Sequence, residues 1–248
     1  MQGDAALPFI LEGLLAFWDM IWPGLGKGIL TTLQVSAVGL VLGLLAGLPA
    51  AVARVYGPRW LRRLATAYIE MFRGTPLLVQ LFVIYYGLPD VAFWLEGLGL
   101  PGKWLILDNT VAAYIALGLN SGAYQAEYFR GAIQAIGAGQ IMAARAIGMS
   151  QLQAVINIVL PQALRLALPA WSNEVAYMVK YSSVVFIIAV PDLLARGQFI
   201  ISKHYNPMEI LLTVGAIYLA MVLIISTLMG RLEKRLRIPG LELEIERA

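Results

Sequence analysis

Glu70 and Arg73 stand three residues apart in the stretch YIEMFRGTPLLVQLFVIYYGLP, and Glu127 and Arg130 repeat that spacing in LNSGAYQAEYFRGAIQAI. Residues three apart share a helix face, so each acid is placed to pair with its base. Both couples lie in apolar surroundings, where ionisable groups are costly and stand beside a partner or a water-filled path. The chemistry on offer is recognition rather than bond making. Gly74 loosens the turn after Arg73, and Pro76 cannot donate a helix hydrogen bond, so RGTP breaks the helix. A helix restarting after Pro76 carries partial positive charge at its first turn, and such ends hold substrate carboxylates in transporters. Arg73 adds charge. Arg73, Gly74 and Thr75 are therefore expected to hold a carboxylate. The other reading of the same residues is structural: acids and bases pair only with each other and fix helix packing. Catalysis has little to work with. There is no cysteine and one histidine, His204, read as a solvated loop residue. No catalytic group and no metal site are expected.

The elements that must position these residues are membrane helices. Hydrophobic residues make up 60% of the chain and charged ones 13%, against about 25% charged in a soluble domain. An all-α integral membrane protein follows, with about five transmembrane helices of roughly 20 residues each. The candidate spans are Gly28–Ala53, Trp60–Leu88, Thr110–Ile136, Leu152–Val179 and Met208–Gly230. Val184–Val190 is too short to cross and reads as a short or re-entrant piece. At 1.5 Å per residue, Glu70, Thr75 and Asn120 fall near mid-membrane. Gly39, Gly43 and Gly47 recur every four residues, which lets another helix approach closely, in this chain or a partner.

Basic residues collect at Arg54, Arg59, Arg62 and Arg63 and again at Arg231, Lys234, Arg235 and Arg237. The basic side is cytoplasmic, so five spans place the N-terminus outside and the C-terminus inside. Residues 1–24 lack the basic start of a signal peptide and read as an extracytoplasmic or interfacial segment, with Trp18 and Trp22 at the membrane surface. Residues 25–237 form the transmembrane domain and 238–248 a cytoplasmic tail.

AARAIGMSQLQAVINIVLP, Ala143 to Pro161, interrupts this pattern on the cytoplasmic side. Gly137 and Gly139 stop the third span, QIMAARAIG forms a short helix, Gly148 ends it, Ser150 caps the next, and Pro161 bends or redirects it. Ala143, Ala144 and Ala146 give the short helix a small-residue surface. The stretch resembles the coupling loop of ABC importer permeases (Glu-Ala-Ala, three residues, Gly, nine residues, Ile, one residue, Leu-Pro). It has Ala143, Ala144, Gly148, Ile158, Leu160 and Pro161 in that register, with Met142 where the family has an acid. The segments around Tyr68–Pro89, the third and fourth spans (LPAWSNEVAYMVKYSS) and the tail GRLEKRLR are similar to polar amino acid permeases of the histidine, glutamine and arginine type.

That resemblance implies a type I ABC importer transmembrane domain in the cell membrane. It implies a second permease subunit, identical or homologous, two cytoplasmic ATP-binding cassette subunits and an extracytoplasmic solute-binding protein. The loop 139–161 would couple to the ATPase through Met142, Ala143, Ala144, Arg145, Gly148, Leu160 and Pro161. No G-x-x-x-x-G-K-S/T motif occurs in this chain, so ATP and magnesium belong to the partner, and no cofactor is expected here. The carboxylate at Arg73 would then be that of an amino acid. Glu70, Asn120, Ser121, Tyr124, Glu127, Asn173, Glu174, Lys180 and Ser183 would supply polar wall or an acceptor for its amino group. Tyr181 stands where relatives often carry an acid, which favours a neutral or acidic substrate. The alternative is a secondary transporter working without an ATPase.

Overall fold

The computed structural model describes residues 6–136 and 138–236. Every regular element among them is helical. Helix α1 runs from Ala6 to Tyr56, passing through Pro23 without a break, so the segment before residue 24 continues directly into the first span. Helix α2 (Arg59–Arg73) ends at Gly74, and α3 (Leu77–Gly97) begins after Pro76. Next come α4 (Asn109–Ala135), α5 (Ala138–Ala146), α6 (Gln151–Ile188), α7 (Leu193–His204) and α8 (Pro207–Leu236). The helix-stopping role given to Gly137 and the tail from residue 238 lie outside the described residues.

Four of these helices are long and apolar enough to cross a membrane: Ile21–Tyr56 within α1, α3, α6 and α8. The expected second span, Trp60–Leu88, is corrected. Its first half is the separate helix α2, whose sequence RWLRRLATAYIEMFR is too charged to count as apolar, and the apolar crossing starts at Leu77. Helix α4 has 27 residues, enough for about 40 Å. It falls short on hydropathy because its polar side chains, Asn120, Ser121 and Gln125, are buried against other helices. The Val184–Val190 piece is not separate. A 3₁₀ turn, Ser182–Ile188, extends α6 before the chain turns at Ala189, whose φ is 61°. Helix α7 then follows, and His204 lies in its last turn rather than in a loop.

Helix α4 is the centre of the bundle. The glycine ridge of α1 packs on it within this chain: a Cβ on Gly43 would meet the Gln125 side chain at 2.5 Å, and one on Gly47 the Gly122 carbonyl at 2.5 Å. Small residues on both helices allow the backbones that close approach. Two apolar cores flank this contact. One gathers Val35, Leu81, Leu117 and Met178 towards one end, and the other Ile69, Phe129, Ile133 and Val159 towards the other. A third joins Leu25, Leu193, Ile210 and Val214, locking α7 between α1 and α8. The outward face of α8 exposes Leu212, Leu219, Leu223, Ile224 and Leu228, the aliphatic surface that lipid requires.

Two π-turns, Val83–Gly87 and Val155–Val159, each end two residues before a proline, Pro89 and Pro161. Proline removes one N–H from the ladder and crowds the carbonyl a turn before it. A locally widened turn relieves that crowding, so α3 and α6 continue through their prolines.

Candidate functional site

The break between α2 and α3 is closed from the side. Gln80 is 7% exposed. Its Nε2 donates to the Phe72 carbonyl at 2.8 Å, the Thr75 carbonyl at 3.0 Å and Thr75 Oγ1 at 2.8 Å. The Thr75 hydroxyl donates in turn to the Met71 carbonyl at 2.7 Å, and the Gly74 N–H to the Glu70 carbonyl at 2.8 Å. From α4, Asn120 Nδ2 donates to Gln80 Oε1 at 3.0 Å and reaches the Phe72 carbonyl at 3.3 Å. Backbone groups freed at membrane depth survive only where protein or water satisfies them, and here two amides do it. Pro76 precedes the restarted helix, as expected. Gln80 was missed as a site residue. Its signal was there: one buried amide in an otherwise apolar run demands a partner.

Below the break sits an ionic cluster whose pairing departs from the sequence expectation. Glu127 takes Arg130 at 2.7 Å and is also hydrogen-bonded by Arg54. Arg73 Nη1 lies 3.8 Å from Glu127 Oε2, with its guanidinium 5.4 Å above the Tyr124 ring. Glu70 does not pair with Arg73. It faces Arg54 at 3.3 Å instead. The cause is α1, whose last turn brings Arg54 between the two carboxylates, while Arg73 turns towards α4. The Glu127–Arg130 couple forms as predicted. Arg54 was counted only as a cytoplasmic charge, because nothing local ties it to residues 70 or 127.

A third group is buried above the ionic cluster. Glu174 of α6 is 2% exposed. It accepts from Ser121 Oγ at 2.7 Å and from the Tyr128 hydroxyl at 3.3 Å, with no cation within ion-pairing distance among the described residues. Ser121 accepts from Gln125 Nε2 at 3.0 Å, and Gln125 Oε1 accepts from Trp171 Nε1 at 2.9 Å. Asn120, Ser121, Tyr124, Glu127, Glu174, Arg73, Gly74 and Thr75 are thus brought to one seam between α2, α3, α4 and α6. Asn173, next to Glu174 in the sequence, is exposed. Lys180 and Ser183 are not drawn in: Lys180 Nζ lies 4.0 Å over the Tyr177 ring, and Ser183 donates to the Lys180 carbonyl at 2.7 Å.

The second candidate region is the turn from α5 into α6. Gly148, with φ at 90°, ends α5, and the N–H groups of Gly148 and Met149 return to the carbonyls of Arg145 and Ala144 at 3.0 and 3.1 Å. Only glycine enters that backbone region without strain. Ser150 and Gln153 form a capping box at the start of α6, as the predicted cap requires. Met142, Ala143, Arg145 and Ile147 are exposed, Ile147 at 79%. Ala144 is corrected: it is 2% exposed and packs inward, so it shapes the turn rather than the surface. Gly139 lies inside α5 and does not stop the third span. Pro161 is exposed and Leu160 half-buried.

Residues 39–238 match the family model described as binding-protein-dependent transport system inner membrane component. The glutamine transport system permease protein GlnP of Escherichia coli is 37% identical over 224 residues, covering 89% of this chain and 98% of that protein. The nopaline transport system permease protein NocM of Agrobacterium fabrum is 38% identical over 207 residues, covering 84% and 85%. Among solved structures, an amino acid ABC transporter with histidines superposes with a TM-score of 0.75 at 35% identity, covering 89% of this chain and 97% of that one. The MetNI methionine ABC transporter in an inward-facing conformation shares the fold, with a TM-score of 0.70 at 23% identity over 89% of this chain and 99% of that one.

Proposed function

Because this chain belongs to the family of binding-protein-dependent transport system inner membrane components, we propose that it carries a polar amino acid inward through the seam between α2, α3, α4 and α6. It is an ABC permease subunit, a membrane component rather than an enzyme. The family works with an ATPase and a substrate-binding protein; a secondary transporter is not supported. Relatives named for glutamine, nopaline and octopine transport support a polar amino acid as substrate.

In this reading the basic loop around Arg59–Arg63 and the end of α8 face the cytoplasm, and the N-terminus lies outside. Two ATPase subunits hold ATP and magnesium, and a second permease, identical or homologous, completes the path. Closure of the ATPases moves α5 and the turn at Gly148. That motion passes into α4 and α6, which flank the seam, and opens it alternately to each side.

Arg73, Gly74 and Thr75 receive the α-carboxylate at the start of α3, where a helix N-terminus favours anions. Glu174, hydrogen-bonded by Ser121 and Tyr128, is the acceptor for the amino group, and Tyr124, Asn120 and Asn173 form polar wall. The observation that carries the carboxylate role is the position of Arg73, beside the helix break and 3.8 Å from its nearest carboxylate, with donors to spare. An assembled transporter carrying Arg73→Ala should show apparent substrate affinity lower by about tenfold or more, the effect of one lost charge-assisted hydrogen bond. Unchanged affinity and uptake rate would leave Arg73 a packing residue.

A further inference from the structure

We propose that Glu127 is the resident counter-ion of Arg73, and that the carboxylate of the incoming substrate replaces it, releasing the ionic contact between α2 and α4. This rests on the carboxylate reading of Arg73 above. Glu127 has three guanidinium neighbours on three helices: Arg54 from α1, Arg73 from α2 and Arg130 from its own helix. They are not held equally. Arg130 makes two hydrogen bonds, at 2.7 and 3.1 Å, and Arg54 is bonded as well. Arg73 is the loosest, at 3.8 Å, beyond hydrogen-bonding reach. Its side chain is 38% exposed, against 22% for Arg54 and 29% for Arg130.

Charge says the same. Arg54, Arg73 and Arg130 face Glu70 and Glu127, so the cluster carries one positive charge in excess. With Arg54 and Arg130 satisfied, the excess rests on Arg73, held meanwhile by Tyr124 in a cation–π contact. A carboxylate arriving at the start of α3 neutralises the cluster without stranding Glu127. Arg73 is also the ionic tie from α2 to α4, whereas Glu70 and Arg54 tie α2 to α1. Moving Arg73 onto substrate therefore releases the ionic contact between α2 and α4 and leaves the Tyr68–Leu119 hydrogen bond between them in place. Glu127 acts here as a positioning residue. It holds Arg73 near the path when empty and competes with substrate for it.

The test uses the complete transporter, with its ATPase and binding protein, in liposomes, and a mixture of the standard L-amino acids. Basal and amino-acid-stimulated ATP hydrolysis are measured separately. Arg73→Gln should raise the basal rate about fivefold, the lower end of coupling between sites, and abolish stimulation. Glu127→Gln should raise the basal rate too, but keep stimulation and lower the half-saturating amino acid concentration, because the competing anion is gone. A purely structural role would lower both rates and leave affinity no tighter. Arg73→Gln with an unchanged basal rate and lost stimulation keeps the carboxylate reading and overturns the exchange. No change in either rate overturns both. Failure of both variants to assemble also overturns the exchange, since a tie that opens in every cycle is dispensable for assembly.

Discussion

The chain breaks its helices at Gly74–Pro76 and again at Ile147–Ser150, and it repairs the two breaks by opposite means. At Gly148 the repair is local: a left-handed glycine, two returning backbone bonds and a Ser150–Gln153 capping box. At Gly74 it is tertiary: Gln80 reaches back across the break and Asn120 of α4 holds Gln80. A break repaired by its own neighbours moves as a unit, which suits a part that is pushed. One repaired by another helix changes when that helix moves, which suits a part that senses position.

Substitutions sharpen this contrast. The largest effect belongs to Gln80→Leu. It removes the Gln80 partner of the Phe72 and Thr75 carbonyls and of the buried Asn120 amide at once, at about 1–3 kcal/mol for the buried amide. The purified transporter should melt measurably lower, and its uptake should fall with it. A normal melting point would show that water already serves these groups, and the tertiary repair would be wrong.

Gly148→Val comes next. A branched side chain in a left-handed backbone costs about 1–2 kcal/mol. The damage should stay local: copurification with the ATPase falls while the melting of the membrane helices is unchanged. A drop in helix-bundle stability would mean that this turn, too, is held from afar.

Ser150→Ala is the mildest, removing one cap worth about 1 kcal/mol. Transport should slow less than with Gly148→Val, and assembly should be intact by size-exclusion chromatography. An effect as large as that of Gln80→Leu would erase the distinction between the breaks.

The same contrast explains what the sequence disclosed. Caps and helix stops obey short-range rules, so Gly148 and Ser150 were readable by spacing, and so was the restart after Pro76. The α1 glycines were readable as a packing ridge, though only the structure gives α4 as their partner within the chain. The ionic cluster was half readable. Glu127 and Arg130 are neighbours on one helix, whereas Arg54 reaches Glu127 across 73 positions. No local pattern announces that, and it also redirected Glu70 away from Arg73. Ala144 was misassigned because a small residue beside an exposed one looks the same in sequence whether it faces water or packs inward. Helix α4 was found as a span from the length of its mainly apolar stretch, although its hydropathy is diluted by side chains that face other helices.

In the proposed function the α5–α6 turn is a cytoplasmic lever gripped by an ATPase. The chain has no cysteine, so Ile147→Cys places a single thiol in this chain at an exposed point of that turn. A membrane-impermeant maleimide should label it in inside-out vesicles and not in right-side-out ones, and addition of the partner ATPase should protect it. Labelling from the outer face, or labelling that the ATPase leaves unchanged, would contradict the account.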